Sequence, residues 1–339
     1  MSSAVIFPAQ PEQILKGLSK LWTSVGQEEK QHGGPTVLRA CAMTLIVATD
    51  DSDTGFAASQ TITDLMREHA GRGIVVTVSP SAERSLEARV LAQCWKPFGK
   101  AQQICSEQIE ILAQPESWST VDATLTGLTV ADLPVIFWCR HSGILRKTAN
   151  SADRAGLEAV MDLATKVVLD TKGIDAACAL ELLARWNAQG RVVADLEWTR
   201  LTPWREPLAH LFDYPERGTK FSAFHTVEIE HTGEKAPLSA LYLGGWLSAP
   251  RHARVIFRKV NGFTPGLHGV HLVSDSETIV FERASSECAT LRSTHGPERK
   301  YPMAEPSLTA LMTEELSLMG FDPAYDAALT VAQELNSQA

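Results

Sequence analysis

One segment of this 339-residue chain concentrates side chains that could do chemistry. It reads DLEWTRLTPWRE, ends at Glu206, and interleaves two tryptophans, Trp198 and Trp204, with two arginines, Arg200 and Arg205. Trp and Arg are enriched where proteins bind one another, and the guanidinium fork also binds carboxylates and phosphates. The segment therefore predicts a contact surface for a partner or, with Arg200 and Arg205 as a fork, a phosphate-binding site.

The same segment also fits a purely structural role. Thr202 and Pro203 are suited to the N-cap and first position of a helix, whereas Pro207 predicts that this helix kinks or begins only near residues 205–207. In this interpretation the tryptophans belong to the core of a joint between a strand and a helix, and the arginines pair with nearby carboxylates. Both interpretations stay open; we expect Trp198, on a strand, to be core and Arg205 to make the contact.

The turns that could hold a nucleotide lack the residues for it. No GxxxxGK[ST] loop occurs, and the apolar strand Leu45–Thr49 is followed by Asp50-Asp51-Ser52-Asp53. A dinucleotide site needs bare glycine backbone there, and these carboxylates would repel a pyrophosphate. They fit a solvated turn with a helix N-cap better than a cation site. Gly71-Arg72-Gly73 precedes a strand and fits a turn, so we predict no cofactor.

Residues for catalysis or metal binding show no recognisable pattern either. His268 and His271 lie three apart in a predicted strand, where their side chains point to opposite faces and do not share a metal. No GxSxG elbow is present. The sequence therefore predicts no catalytic residue, no metal site and a protein that is not an enzyme.

The six cysteines are widely spaced and form no CxxC motif, a pattern typical of buried thiols. The alternative is a redox or ligand role. Cys105 lies beside the polar run Ser106-Glu107-Gln108, and we expect it to be the exception to burial and the candidate redox residue.

Charge and hydropathy limit the function classes. With 31 Lys+Arg against 40 Asp+Glu the formal charge is −9, and no basic block offers a surface for nucleic acid or anionic membranes. The most apolar stretches, Leu133–Cys139 and Leu238–Leu247, are shorter than the roughly 20 residues that cross a bilayer. Because Met1–Pro8 also lacks the basic start of a leader, we expect a cytoplasmic protein.

The predicted elements divide the chain into two domains, 1–172 and 173–339. The first alternates strands and helices, which predicts an α/β domain with a mixed, mostly parallel sheet and flanking helices. It includes a hairpin of Leu86–Trp95 and Gln102–Leu112, the second strand having one wet face. The second domain is predicted to be α+β, with antiparallel strands, a helix at Pro237–Ser248 and two helices in the tail that separate at Gly320-Phe321-Asp322-Pro323.

Four stretches together resemble a known family, the OpcA family of glucose-6-phosphate dehydrogenase assembly or accessory proteins of cyanobacteria, actinobacteria and some other bacteria. The DLEWTRLTPWRE segment with Phe212-Asp213 is the most specific of them. The other three are Cys105-Ser106-Glu107-Gln108-Ile109, Asp132-Leu133-Pro134-Val135 with Trp138, and Gly245-Trp246-Leu247. The resemblance covers roughly residues 40–250.

The resemblance implies a non-catalytic partner that binds glucose-6-phosphate dehydrogenase and promotes its active oligomer, raising flux into the oxidative pentose phosphate pathway. The partner-binding candidates are then Trp198, Arg200, Trp204, Arg205 and Glu206. Cyanobacterial members are linked to thiol redox control, but no regulatory cysteine pair maps onto this chain. The alternative is an enzyme or sensor of a sugar phosphate or nucleotide that uses Arg200 and Arg205.

Overall fold

The computed structural model describes residues 7–337 except 33–36, 51–54, 81, 83–85, 97–102, 131, 141–143, 145–153, 214–220, 251–252, 263–264 and 295. Its helices are α1 (Pro11–His32), α2 (Gly55–Leu65), α3 (Trp118–Thr126), α4 (Arg154–Asp162), α5 (Ala176–Ala188), α6 (Leu196–Thr199), α7 (Thr202–His210), α8 (Leu238–Ser248), α9 (Leu308–Ser317) and α10 (Pro323–Asn336). Its strands are β1 (Phe7–Pro8), β2 (Val37–Arg39), β3 (Thr44–Asp50), β4 (Arg72–Val78), β5 (Leu86–Trp95), β6 (Gln103–Ala113), β7 (Val135–Cys139), β8 (Lys166–Leu169), β9 (Val193–Asp195), β10 (Thr226–His231), β11 (Arg254–Lys259), β12 (Leu267–Val273), β13 (Thr278–Arg283), β14 (Cys288–Ser293) and β15 (Gly296–Pro302).

The chain forms two compact units. The N-terminal unit contains Met1–Asp170, Arg191–Val193 and Met312–Gly320. The C-terminal unit contains Thr171–Gly190, Ala194–Leu311 and Phe321–Ala339. The contiguous domains 1–172 and 173–339 stay a prediction from the sequence.

The first sheet has the strand order β1-β5-β6-β4-β3-β7-β8-β9, and β2 also pairs with β6. Its central strands β6, β4, β3, β7 and β8 run parallel, β5 runs antiparallel to them beside β6, and β1 pairs antiparallel with β5. Every residue of β3, β7 and β8 is buried, as expected for continuous apolar strands of a parallel sheet covered on both faces. The predicted α/β class with a mixed, mostly parallel sheet is confirmed.

The predicted hairpin is also confirmed, because β5 and β6 pair antiparallel from Leu86↔Ala113 to Trp95↔Ile104. The predicted wet face of its second strand is wrong. Residues 105–109 of β6 are all buried, because β6 lies inside the sheet, with β5 on one side and β2 and β4 on the other. A strand in the interior of a covered sheet has no solvent face.

The cysteines differ most from expectation. Cys94 and Cys105 are direct cross-strand partners in the hairpin and form a disulfide, so the expectation that both are free thiols is wrong. Cys105 is fully buried and not the exposed exception. Of the four free cysteines, only Cys139 is buried, whereas Cys178 is exposed. The β5–β6 register, which no local pattern reveals, decides this pairing.

The second sheet has the order β11-β10-β12-β13-β14-β15. Here the expectation of antiparallel strands fails at one place: β10 and β11 are parallel and are joined through α8, which packs on both. The other neighbours are antiparallel, as predicted. Alternate residues of β10 and β13, among them Ile229 and Phe281, are buried, while those between them are partly exposed. The sheet therefore has one apolar and one polar face.

Helix α8 is buried along almost its whole length and packs against α10. Gly245 makes this packing close: a Cβ there would lie 2.5 Å from the carbonyl oxygen of Ala328. The second tail helix begins as predicted, with Asp322 capping α10 and Pro323 in its first turn, whereas α9 ends at Ser317 and not at the predicted Gly320. Among the residues that the structure describes, no helix is long and apolar enough to cross a membrane.

Candidate functional site

The segment from Asp195 to Glu206 contains the end of β9, the short helix α6 and the first turns of α7. Trp198 lies in α6, so its predicted place on a strand is wrong: the Asp195 side chain accepts a hydrogen bond from the backbone N–H of Glu197 at 3.0 Å and caps a helix there. Of the two outcomes predicted from Pro207, the late start is wrong, because α7 begins at Thr202 and contains Pro207. Thr202 is the first residue of the helix and not its N-cap, a position that Leu201 occupies. Proline removes a single hydrogen bond, and the packing of the helix tolerates that loss.

Asp195 is the buried centre of a polar network. Its carboxylate accepts hydrogen bonds from the hydroxyl groups of Thr171 at 2.6 Å and Tyr242 at 2.8 Å, and from the backbone N–H of Thr171 at 3.3 Å. Burial raises the pKa of Asp195 to about 7, although the hydrogen bonds from Thr171, Glu197 and Tyr242 act in the opposite direction. This side chain exchanges a proton near neutral pH and holds α6 to α8.

Trp198 belongs to the core, as predicted. It is 3% exposed, donates its indole N–H to Asp322 at 3.1 Å, and packs against the rings of Tyr242 and Tyr325. The guanidinium carbon of Arg205 lies 3.9 Å from the centre of the Trp198 ring. The Arg205 side chain is thus stacked on the buried Trp198 ring.

Trp204 is also buried, at 3% exposure, and packs edge-on against Phe281 of β13 with ring centres 5.1 Å apart. The guanidinium carbon of Arg283 also lies over the Trp204 ring, 5.6 Å from the ring centre. A tryptophan held in this way does not form the centre of a protein contact, because its surface is already covered. Its role is to fix α7 on the second sheet.

The phosphate fork proposed for the two arginines does not assemble. Arg200 lines a cleft of about 350 Å³ and donates to the Glu197 carboxylate at 3.3 Å. Arg205 is not among the residues that line this cleft; it donates to the Thr202 hydroxyl at 2.8 Å and stacks on Trp198. In these contacts the two guanidinium groups have different partners, and only Arg200 lines the cleft.

The cleft itself holds charges of both signs. Lys172 forms an ion pair with Glu305 at its edge, beside the Arg200–Glu197 pair. Arg283 donates to the carbonyl oxygens of Ser286 at 3.1 Å and Met303 at 3.4 Å, and burial lowers its pKa. The cations outnumber the carboxylates by one, so the cleft is mildly basic.

The exposed part of the segment is small. Glu206 is exposed, while Arg205, Thr202 and Pro203 are partly exposed. On the next turn of α7, Ala209 and His210 are exposed as well. Residues three and four apart share a helix face, so Arg205, Glu206, Ala209 and His210 form one surface, which we call the α7 face.

Sequence reasoning missed the partners that hold the segment in place, namely Thr171, Tyr242, Phe281, Asp322 and Tyr325. Only Asp322 carried a signal, as the residue before a helix-starting proline. The others are ordinary residues in their own elements, and they meet the segment through tertiary packing.

A second buried charge cluster lies in the N-terminal unit. Its central residue, Glu107, belongs to the stretch Cys105-Ser106-Glu107-Gln108-Ile109. Glu107 is 2% exposed and accepts from Arg72 at 2.6 Å, from Arg39 at 3.0 Å and from the indole N–H of Trp22 at 2.9 Å. Burial alone would raise the pKa of Glu107, but the charge of Arg72 and the hydrogen bonds from Trp22 and Arg72 hold it below its ordinary value. This cluster ties β2, β4 and β6 to α1.

Two family models match the chain, and both describe parts of one kind of protein. Residues 62–185 match the N-terminal domain, and residues 191–329 the C-terminal domain, of the glucose-6-phosphate dehydrogenase subunit family OpcA. The chain belongs to the OpcA family. The two matches cover more than three quarters of its residues and include the whole Asp195–Glu206 segment.

Two curated cyanobacterial relatives carry the name "Putative OxPP cycle protein OpcA". The protein of Synechocystis sp. is 25% identical over 210 residues, which are 59% of this chain and 40% of the relative. That of Nostoc punctiforme is 24% identical over 177 residues, 49% of this chain and 35% of the relative. The matched region thus spans less than half the length of these OpcA relatives.

Two of the solved structures similar to this member of the family are oxidoreductases of distant sequence. An oxidoreductase from Sinorhizobium meliloti is 8% identical with a TM-score of 0.46, over 87% of this chain and 96% of that one. UDP-N-acetylglucosamine 3-dehydrogenase from Acidithiobacillus ferrooxidans is 11% identical with a TM-score of 0.41, over 87% and 97%. At these scores the likeness carries no argument about activity.

Proposed function

We propose that this OpcA-family chain is a non-catalytic accessory subunit, which binds glucose-6-phosphate dehydrogenase and activates it by protein contact. The observation that carries the proposal is the match of both halves of the chain to domains of the glucose-6-phosphate dehydrogenase subunit family. The names of the two relatives assign them to the OxPP cycle, which supports the proposal. We accordingly propose a role in the oxidative pentose phosphate pathway of the cytoplasm.

We further propose that the contact with the dehydrogenase lies on the α7 face. Of the partner-binding candidates, Trp198 and Trp204 are core residues and Arg200 pairs with Glu197, which leaves Arg205 and Glu206 to meet a partner. Arg205 is held in one orientation by the Trp198 ring and the Thr202 hydroxyl. An arginine fixed before binding loses little conformational entropy on contact, which is typical of a residue that dominates an interface.

The test compares binding and folding in the same variants. We expect Arg205→Ala and Glu206→Arg each to weaken binding of the host's dehydrogenase at least tenfold, with the corresponding loss of activation. Glu206→Arg should melt like the wild type because Glu206 is exposed, whereas Arg205→Ala should cost about 1 kcal/mol of stability through the lost ring contact. Trp204→Ala should cost about 3–5 kcal/mol of stability, as expected for a core tryptophan.

Glu181→Arg is the matched control, because Glu181 is an exposed helical glutamate of α5 in the same unit. It should leave binding and activation unchanged. If Arg205→Ala and Glu206→Arg bind and activate like the control, the contact lies elsewhere on the chain. If the wild-type protein neither binds nor activates the dehydrogenase, the accessory role itself is wrong.

A ligand titration tests the competing enzyme or sensor hypothesis. Calorimetry with glucose 6-phosphate, 6-phosphogluconate and NADP should show no saturable heat with the isolated protein. Saturable binding that Arg200→Ala abolishes would instead favour a sugar-phosphate site in the cleft. Reduction of NADP by the purified protein, after contaminating dehydrogenase is excluded, would contradict the non-catalytic proposal.

A further inference from the structure

Three metal-ligating side chains converge on the polar face of the second sheet, away from the α7 face. They are Glu230 of β10, His271 of β12 and Glu282 of β13, on three adjacent strands. One ligand atom from each lies within 4.8 Å of the others. Their side chains are 17%, 23% and 29% exposed, so the group is sheltered and still open to solvent.

Glycine at the centre of the group makes this convergence possible. Gly269 is the direct cross-strand partner of both Glu230 and Glu282. A Cβ at this position would lie 2.9 Å from the Glu230 carboxylate oxygen Oε2 and 3.4 Å from the Cβ of Glu282. The two carboxylates therefore occupy the space that a side chain at position 269 would fill. His271 lies two positions further along β12, on the same face of the sheet.

The Nε2 atom of His271 faces this group. Nε2 of His271 lies 3.5 Å from Oε1 of Glu230, is shielded from solvent, and makes no hydrogen bond with the part of the chain that the structure describes. Ligand atoms of a tetrahedral zinc ion, bound at about 2.0–2.1 Å, lie about 3.4 Å apart. The observed separation already matches that geometry for two of the three ligands.

We propose that Glu230, His271 and Glu282 form a binding site for a divalent transition-metal ion, specifically zinc. One imidazole with two carboxylates is a donor set that zinc accepts, whereas magnesium prefers oxygen ligands alone. Three protein ligands leave a fourth tetrahedral position for water or a group from another molecule. The site is independent of the accessory role proposed above.

Arg292 sets the strength of this site. It forms an ion pair with Glu282 and thereby competes with a cation for that carboxylate. Without the arginine charge, a bound cation is no longer repelled by it and no longer competes with it for the Glu282 carboxylate. Arg292→Gln should therefore tighten zinc binding, a direction that a purely structural ion-pair network does not predict.

The experiment uses the full-length protein, freed of its purification tag, stripped with chelator and titrated with zinc chloride in a calorimeter. We expect one equivalent of zinc to bind saturably and magnesium not to compete. His271→Ala and Glu282→Gln should each lower the affinity at least tenfold. Gly269→Ala should do the same without removing a ligand, because its Cβ displaces the Glu230 carboxylate. Cobalt bound in place of zinc should show visible d–d absorption, lost in His271→Ala.

Two matched controls separate this site from weak surface binding. Glu181→Gln alters an exposed carboxylate of α5, and His268→Ala removes another imidazole of β12. Both should keep the wild-type affinity, and melting curves should show that every variant is folded. Absence of saturable binding, or equal binding by the wild type and a folded His271→Ala variant, would overturn the proposal.

Discussion

Asp195 shows at the level of one residue how a structural role acquires a pH dependence. It is fully buried, its carboxylate caps α6, and it is bonded to Thr171 and Tyr242. Burial raises its pKa to about 7 from an ordinary value of 3.8. Between these two values the unfolded chain has lost the proton that the folded chain retains.

The free energy of unfolding should therefore fall as the pH rises from about 4 to 7, and the Asp195 contribution should reach on the order of 4 kcal/mol. Below about pH 4 both states are protonated and the loss disappears. Asp195→Asn removes the titration, so urea unfolding of this variant should depend less on pH across that window. Asp175→Asn, at the exposed cap of α5, is the control and should retain the wild-type slope. Parallel profiles for Asp195→Asn and the wild type would contradict the assignment.

At the scale of an element, the β5–β6 hairpin carries a covalent cross-link. The disulfide joins Cys94 and Cys105, eleven positions apart, across the two strands. Closing a loop of this size restricts the unfolded chain and contributes about 3 kcal/mol. The hairpin also carries Glu107, so its order matters to the buried charge cluster.

We expect unreduced, denatured protein to titrate four thiols, and reduction to lower the unfolding free energy by about 2–3 kcal/mol. A variant with both Cys94 and Cys105 replaced by Ser should melt at the same temperature with and without reductant. Cys178→Ser, which alters an exposed free cysteine, should keep the wild-type response to reductant. Six titratable thiols in protein purified without reductant would show that the pair is not bonded.

For the whole molecule, the two units carry buried acids with opposite pKa shifts. Glu107 in the N-terminal unit has a lowered pKa, because Arg72, Trp22 and Arg39 outweigh its burial. Its stabilising contribution is present above its ordinary pKa of 4.5 and is lost as the pH falls through the lowered value. Asp195 in the C-terminal unit has a raised pKa, so its effect has the opposite sign: the free energy of unfolding falls as the pH rises.

Calorimetric melting should therefore show that the two units respond differently to pH. Glu107→Gln should cost about 3–5 kcal/mol at pH 7, because it leaves Arg72 buried without its carboxylate, and the loss should shrink once the pH falls through the lowered pKa of Glu107. Asp195→Asn should change the melting temperature of the C-terminal unit mainly between pH 4 and 7. Glu68→Gln changes an exposed glutamate of the N-terminal unit and should shift neither transition. A loss from Glu107→Gln that is already smaller well above pH 4.5 than at pH 7 would refute the charge-pair explanation, because the wild-type carboxylate is ionised throughout that range.

The elements themselves were largely predictable from the sequence, because their signals are local. The apolar run of β3, the hairpin strands and the Asp322-Pro323 start of α10 all occur close to their predicted bounds. Hydrophobic period and capping chemistry act between residues a few positions apart, so one sequence contains them. The same reasoning located the Asp195–Glu206 segment and its two tryptophans.

Tertiary structure decided which distant side chains meet. Strand order and register, set by the packing of whole sheets, place Cys94 opposite Cys105 and bring Glu230, His271 and Glu282 together over Gly269. The α6 cap at Asp195 and the ring of Phe281 likewise turned the two tryptophans inward. By itself the sequence determined the elements and the family, since those depend on neighbouring residues. The disulfide, the burial of Trp204 and the proposed zinc ligands depend on contacts across strands and between helices, which exist only after the chain has folded.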